Sequence, residues 1–341
     1  MKESRTIFAP VKRRKKKERI LLCGLLGFVI FLMLFSLVYG ETIYSFNEIF
    51  AALTGKFVPG ASFTLLTLRL PRMLAGFLAG FAFGVAGYVF QTMLHNPLAN
   101  PDVLGISSGA SCAVVVGILF FHVSKVSMAV FAIGAGLLTV LLLFGPSVRN
   151  KAIDPRMIIS GIGLQAFYDA VISYLTVTSD QRELPEVLRW LNGSLDGMTL
   201  AQLPLLALVV VLLTPLVLIL GQSLSLLRLG NETAQSLGVN VEKTKVGLLT
   251  LTVIMAAVAT SVTGPIAFVS FLAGPLAQRL FSRNGNHTLS AGLVGASLVL
   301  AADLIGQYAF SYRFPVGVIT GLIGAPYLIW QLYVMNKRGE L

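Results

Sequence analysis

The sequence has few charged residues for its length, and acidic residues are the scarcer of the two signs. Asp, Glu, Lys and Arg make up 12% of the 341 residues, whereas 55% are hydrophobic, a balance that few soluble domains reach. Basic residues outnumber acidic ones by 26 to 15, and nine of them lie within the first 19 positions, directly before an apolar run. Cations placed there are typical of the cytoplasmic flank of a membrane helix beside anionic lipid, so the basic excess does not indicate nucleic-acid binding.

Cysteine is also scarce in this sequence. The two cysteines, Cys23 and Cys112, each lie within an apolar segment. Two thiols are too few for a disulfide framework, and their surroundings do not suggest a metal site. We therefore expect both to be packing residues, and we expect no metal ion on this chain.

The sequence lacks the phosphate-binding loop of an ATPase. Its one Gly-Lys pair is Gly55-Lys56, and Phe50 stands where the first glycine of the pattern G-x-x-x-x-G-K-[ST] belongs. We therefore expect ATP and Mg²⁺ to be bound by another polypeptide. On this reading the chain binds no cofactor and is not an enzyme.

Long apolar segments make up most of the chain, and most approach the roughly 20 residues that a membrane-spanning helix needs. The sequence predicts an all-α, polytopic membrane protein of about ten transmembrane helices, with apolar segments at residues 20–39, 73–94, 103–121, 126–145, 157–178, 200–220, 246–263, 265–281, 288–310 and 315–335. The eighth segment is the weakest, because Pro265 and Pro275 interrupt its hydrogen-bond ladder.

An even number of spans places both termini on the same side of the membrane. With the N-terminus in the cytoplasm, 19 basic residues fall inside and seven outside, which is the direction that the positive-inside rule favours. We divide the chain into a basic cytoplasmic tail, 1–19, and a transmembrane domain, 20–337. The transmembrane domain includes a cytoplasmic segment at 221–245.

Three glycines mark the second apolar segment as a helix that packs inside a bundle. Gly76, Gly80 and Gly84 recur every fourth residue, so they form one stripe along which a neighbouring backbone can approach closely. Pro71 suits the first turn of this helix because it has no N–H group to leave unpaired. Arg69 and Arg72 therefore lie at the mouth of the helix.

The cytoplasmic segment predicts a short helix of about two turns. Asn231 is a residue type that caps helix N-termini, and Gly238 can end the helix in a left-handed conformation. A helix of that length is marginal in water without packing. We therefore expect it to need a partner.

The stretch around the glycine stripe resembles the FecCD family, the permease subunits of ABC importers for iron-siderophore, haem and cobalamin substrates. The shared pattern is R-x-P-R, a glycine-spaced helix, and N-P-L-A-x-P-x-x-L-G-x-x-x-G, and the resemblance extends from about residue 20 to 335. The matching residues of this pattern are Arg69, Pro71, Arg72, Asn96, Pro97, Leu98, Ala99, Pro101, Leu104, Gly105 and Gly109.

The resemblance implies a set of partners. These are a second permease subunit, identical or paralogous, two ATP-binding subunits and an extracytoplasmic substrate-binding protein, assembled in the cytoplasmic membrane of a bacterium. It also implies docking of the binding protein on Arg69 and Arg72. Where the family has a third docking arginine, this chain has Gln307. Arg313 stands where the family has an acidic residue, so Arg313 is a candidate substitute contact.

The resemblance implies two further groups of residues. The ATPase coupling segment contains Leu229, Gly230, Glu232, Ala234, Leu237, Gly238 and Val239. The translocation pathway and its cytoplasmic gate contain Ser160, Gly161, Gly163, Gln165 and Tyr168. Helix packing explains Gln165 and Tyr168 equally well. Selectivity for the cargo is expected to reside in the binding protein.

Two acids, Asp169 and Asp303, lie within predicted spans, where charge is costly. We expect each to be buried and paired with a neighbouring helix rather than to take part in transport chemistry. The sequence as a whole indicates a permease for an iron-siderophore complex, and cobalamin or haem is the alternative cargo. An ion-coupled secondary transporter and an intramembrane enzyme are further alternatives, although no Ser-Lys, di-Asp or metal-ligand set supports the enzyme.

Overall fold

A computed structural model describes residues 3–121, 125–150, 155–227, 230–281 and 286–338. Within these ranges the protein is helical, with no β-strand. The helices are α1 (Glu3–Val38), α2 (Phe46–Leu53), α3 (Ala61–Phe63), α4 (Leu70–Met93), α5 (Ile106–Phe121), α6 (Lys125–Asn150), α7 (Pro155–Thr178), α8 (Leu184–Leu191), α9 (Leu203–Leu227), α10 (Asn231–Ser236), α11 (Val241–Thr263), α12 (Val269–Leu280), α13 (Thr288–Tyr308) and α14 (Val316–Arg338). A π-helical turn, Thr64–Arg69, joins α3 to α4, and a 3₁₀ turn, Pro101–Leu104, precedes α5.

The predicted all-α, polytopic fold is confirmed, and each of the ten apolar segments contains one helix. By length and composition, six stretches of the described residues are able to cross a membrane. They are Lys16–Val38, Ala61–Met93, Leu200–Leu227, Val241–Thr263, Thr288–Tyr308 and Val316–Lys337. Two shorter apolar helices are Ile106–Phe121 and Ser127–Leu143.

The eighth apolar segment differs from the prediction of a helix over 265–281. Its helix, α12, has 12 residues, which is well short of the roughly 20 that a full span requires. Helix α12 begins only at Val269. It starts late because Gly264 and Phe268 both have positive φ angles, 71° and 65°, and because Pro265 lies between them. The chain therefore enters the bundle as an irregular segment before α12 begins.

Helix α4 lies at the centre of the bundle against α13. A Cβ atom added at Gly80 would lie 2.6 Å from the carbonyl oxygen of Gly295, and one added at Gly84 would overlap the carbonyl oxygen of Ala291. Gly76 faces side chains instead, because a Cβ atom added there would lie 3.0 Å from Cδ1 of Leu195. Since no side chain separates the two backbones at Gly80 and Gly84, α4 and α13 are in van der Waals contact along this seam.

The buried apolar residues form two separate clusters. The larger one joins α4 to α1, α9, α11, α12 and α13. The smaller one joins α5 to α6, α7 and α8 and is built around Val114, Val115, Met128 and Val187. The two clusters share helices, because Ile106 of α5 and Val140 and Leu143 of α6 belong to the larger one. The bundle therefore has one main apolar core and a smaller core beside it.

Candidate functional site

At the N-terminal end of α4, Arg72 forms an ion pair with Asp303 that several hydrogen bonds reinforce. Its Nη2 donates to Oδ1 of Asp303 at 2.8 Å, and its Nε donates to both carboxylate oxygens at 3.0 and 3.1 Å. Asp196 accepts a further bond from Nη1 at 3.3 Å. The Arg72 side chain is 16% exposed and that of Asp303 is 7% exposed, so this pair is largely shielded from water.

The expectation that Asp303 is buried and paired is confirmed by this contact. Sequence reasoning missed two further members of the network. Gln307, one turn after Asp303 on α13, donates to Oδ2 of Asp303 at 2.7 Å. Asp196 lies in the loop after α8, and no motif in the sequence marks it as a partner of Arg72.

Arg69 stabilises the end of the first helix. Its Nη1 donates to the carbonyl oxygens of Leu37 and Val38 at 2.7 and 3.1 Å, and its Nη2 donates to that of Thr42 at 2.7 Å. Carbonyls at a helix C-terminus have no partner within the helix, so a cation there satisfies them. The guanidinium also lies 5.0 Å from the centre of the Tyr44 ring, within the range of a cation–π contact.

The structure brings Arg69, Arg72 and Arg313 into the lining of one cleft of about 250 Å³, at the end of the bundle where α4 begins. Arg313 is the exposed member, with 61% of its side chain accessible, and it pairs with Glu41, which is 83% exposed. The three arginines predicted as docking residues are therefore neighbours, and each already has an internal hydrogen-bond partner.

The predicted coupling segment contains the short helix α10. Residue 229 lies outside the described residues, whereas the other predicted members are described. The N-cap is Gly230, with φ 103°, and Asn231 is the first helical residue without a capping hydrogen bond. The expectation that Asn231 caps the helix is wrong, because the turn that precedes α10 needs a positive φ that glycine adopts without strain.

Gly238 ends α10 as predicted. The φ angle of Gly238 is 85°. The N–H of Gly238 donates to the carbonyl oxygen of Gln235 at 2.9 Å, and the N–H of Val239 donates to that of Ala234 at 3.0 Å. This pattern satisfies carbonyls at the end of the helix. Ala234 is fully buried, but Glu232 is exposed and Leu237 is 58% exposed, so α10 is anchored by Ala234 and leaves an apolar side chain accessible at its C-terminal end.

Two of the predicted pathway residues pack inside the protein. Gly161 is buried, and a Cβ there would lie 3.0 Å from Cα of Leu104. The hydroxyl of Tyr168 lies 3.1 Å from Oγ1 of Thr139 on α6. These contacts join α7 to the 3₁₀ turn and to α6.

The other predicted pathway residues lie toward an open face of α7. Ser160 and Gly163 are exposed, and Gln165 is partly buried. Gln165 lines a cleft of about 400 Å³ between α5 and α7, together with Asp169. Asp169 is exposed, so the expectation that it is a buried, paired acid is wrong.

The fold and these surfaces define a multi-pass membrane protein of the ABC permease class, a transporter subunit rather than an enzyme. The chain belongs to the FecCD transport family, whose sequence profile matches residues 28–334. It is 34% identical over 293 residues to the ferric enterobactin transport system permease protein FepG of Escherichia coli (strain K12), covering 86% of this chain and 89% of that protein. It is 35% identical over 326 residues to the Fe(3+)-citrate import system permease protein YfmE of Bacillus subtilis (strain 168), covering 94% of this chain and 97% of that protein.

The fold is also found in a solved structure. An inward-facing ABC transporter assigned to the metal-chelate type superimposes with a TM-score of 0.81 and 26% sequence identity. The match covers 92% of this chain and 99% of that one. The family resemblance and the overall fold are thus supported independently by sequence and by structure.

Proposed function

We propose that this chain is the membrane-spanning permease subunit of an importer that moves a ferric chelate across the cytoplasmic membrane of a bacterium. Two such permeases, identical or paralogous, form one pathway. Two separate subunits bind ATP and Mg²⁺ at the cytoplasmic side, where both termini of this chain lie. An extracytoplasmic binding protein delivers the chelate at the other side.

The names of the relatives support an iron chelate as the cargo. The matched permeases carry ferric enterobactin, Fe(3+)-citrate and iron(3+)-hydroxamate in their names, and the superimposed structure is assigned to the metal-chelate type. These names favour an iron-siderophore complex over cobalamin or haem for this chain.

The observation that carries the proposal for ATP coupling is the geometry of α10. A six-residue helix is too short to be stable by itself in water, and its one buried residue, Ala234, fixes it to the bundle. Leu237 remains 58% exposed, and Glu232 in the first turn is also exposed. An anchored helix with one apolar and one acidic side chain on its free surface suits insertion into a groove of an ATPase subunit.

The proposal for docking of the binding protein rests on the outer cleft. Arg69, Arg72 and Arg313 line it together, and guanidinium groups receive carboxylates in a bidentate fashion. Arg313 is the most accessible of the three, with 61% of its side chain exposed, and its partner Glu41 is exposed as well. We therefore expect a carboxylate of the binding protein to meet Arg313 first.

The substitution Leu237→Glu tests the coupling proposal. We expect it to abolish ATP-dependent uptake and copurification of the ATPase, because it places a charge where an apolar side chain enters the partner. The thermal stability of the isolated permease should not change, since Leu237 contacts solvent in the isolated chain. The measurements are uptake of radioactive ferric chelate, the yield of ATPase on the tagged permease, and the melting temperature in detergent.

Phe57→Glu is the matched control, because Phe57 is 83% exposed and lies between the first two predicted spans, on the side opposite α10 in the proposed topology. This variant should retain the ATPase. If Leu237→Glu transports and retains the ATPase like the parent chain, α10 is not the coupling element. Uptake that survives ATP depletion and collapses with an ionophore would instead indicate a secondary transporter.

A further inference from the structure

Two rows of polar side chains face each other across the cleft between α5 and α7. On α7, Gln165, Asp169 and Ser173 recur every fourth residue and form one stripe along the helix. On α5, the facing residues are Ser107, Ser108 and Ser111. Lipid is a poor solvent for such groups, and polar residues in a span face a bundle interior or a water-filled cavity.

The two acids of this cleft have different surroundings. Both carboxylate oxygens of Asp102 have a partner, because Oγ of Ser107 donates to Oδ1 at 2.5 Å and Nδ2 of Asn100 donates to Oδ2 at 2.9 Å. Asp169 is exposed, and its carboxylate has no hydrogen bond or ion pair within the part of the chain that the structure describes. Asp169 therefore supplies the unpaired negative charge of this cleft.

The described lining of the cleft contains no lysine, arginine or histidine that offsets this charge. Its other members are hydroxyl, amide and apolar groups. Within the same lining, Ser111 is 2% exposed, and its Oγ has no hydrogen-bond partner among the described residues. A buried hydroxyl that lacks a partner is costly unless water or a ligand reaches it. The unpaired hydroxyl is a second indication that the cleft holds a polar occupant.

We propose that Gln165, Asp169 and Ser173 form a negatively charged wall of the translocation pathway that discriminates chelates by charge. This inference rests on the proposed function. Neutral or cationic ferric chelates pass the wall, whereas polyanionic ones are disfavoured. The permease thereby adds a charge filter to whatever selection the binding protein makes.

The physical reason is the low dielectric of the surrounding protein and lipid. A carboxylate at the wall of a narrow cleft acts on a passing charge more strongly than it would in bulk water. A ferric ion held by three hydroxamates is neutral at its centre, whereas one held by three catecholates carries three negative charges. Passage of the tris-catecholate therefore meets the larger repulsion, and the tris-hydroxamate is the class of cargo that this wall fits.

Thiol labelling tests the charge of the wall without any transport. Cys23 and Cys112 are first replaced by serine, and a single cysteine is then introduced by Gln165→Cys or Ser173→Cys. Methanethiosulfonate reagents that carry an ammonium or a sulfonate group are compared in membrane vesicles containing the assembled complex. The rate of each reagent is divided by its rate with a free thiol in solution. After this normalisation, we expect the cationic reagent to react at least about threefold faster than the anionic one.

Asp169→Asn should remove this preference, and Asp169→Glu should keep it. Asp180→Asn is the matched control, because Asp180 is an exposed acid two residues after the end of α7 and outside the lining of the cleft. Val211→Cys, on the exposed face of α9, should react with neither charged reagent. Equal normalised rates for both reagents at both cleft positions, with Asp169 in place, would overturn the inference.

An uptake experiment then tests the filter itself. Vesicles containing the complex receive a ferric tris-hydroxamate or a ferric tris-catecholate, and Asp169→Asn is expected to raise the ratio of catecholate to hydroxamate uptake about tenfold. An unchanged ratio with active uptake would disprove the charge filter and leave the proposed function standing. If neither chelate enters in an ATP-dependent manner while the labelling preference is present, the proposed function fails and the charged wall stands.

Discussion

At the scale of single residues, Arg72 and Asp303 show how an ionised pair is held in a largely apolar bundle. The pair is bidentate, and Gln307 satisfies a remaining carboxylate lone pair. Removal of one partner of a shielded pair leaves an uncompensated charge, whereas an exposed pair contributes little. Arg72 therefore has a structural role whether or not it also meets a binding protein.

The substitution Arg72→Ala should lower the free energy of unfolding by about 3 kcal/mol, because Asp303 is left buried and unpaired. Arg313→Ala, which breaks the exposed pair with Glu41, should cost less than about 1 kcal/mol. The measurement is thermal unfolding of the two purified variants in the same detergent. Equal midpoints for Arg72→Ala and the parent chain would contradict the structural role of this arginine.

The internal contacts of Arg69 and Arg72 also limit how docking of the binding protein can be tested. Arg69 holds the carbonyls at the end of α1 and Arg72 holds Asp303, so charge reversal at either position disturbs the fold together with the outer surface. Loss of uptake in such variants does not isolate docking. Arg313→Glu is the cleaner variant, because Arg313 lies at the surface.

At the scale of elements, the sequence predicted the helices well and their contacts poorly. Apolar length, proline and glycine are local properties, and they placed most of the ten predicted helices within about five residues at each end. The exceptions are α1, which begins 17 residues before the predicted segment, and α9, which ends seven residues after it. The partner of Arg72 lies 231 residues away, and no pattern in a single sequence joins those positions. The glycine stripe indicated a close neighbour for α4, but only the fold identifies that neighbour as α13.

The α4–α13 seam gives a prediction at this scale. Gly84→Ala should destabilise the protein by about 1–3 kcal/mol, because the added methyl group overlaps the carbonyl of Ala291 and the two helices must separate. Gly134→Ala on α6 is the matched control, since nothing lies within 4 Å of its added Cβ, and it should be neutral or stabilising by up to about 1 kcal/mol. The melting temperatures of both variants in detergent provide the comparison. A Gly84→Ala variant as stable as the parent would show that the seam is not closely packed.

At the scale of the whole molecule, the orientation in the membrane is the prediction that the fold alone leaves open. In the cysteine-free chain, Lys56→Cys should react with a membrane-impermeant maleimide added outside intact cells, whereas Thr233→Cys should react only after permeabilisation. Both positions are exposed, and the chain is expressed without its ATPase so that no partner covers α10, so access of the reagent and not burial decides the result. The reverse pattern would invert the proposed topology, in which the basic tail faces the cytoplasm.

The two apolar clusters have a mechanical consequence for the transport cycle. The α4–α13 seam resists sliding, because bare backbones interlock at Gly80 and Gly84. The smaller core is not free of the centre, because Val140 and Leu143 of α6 belong to the larger cluster. Helix α7 packs mainly on α5, α6 and the 3₁₀ turn, so we expect the pathway to open by movement of α7 while α4 and α13 keep their positions.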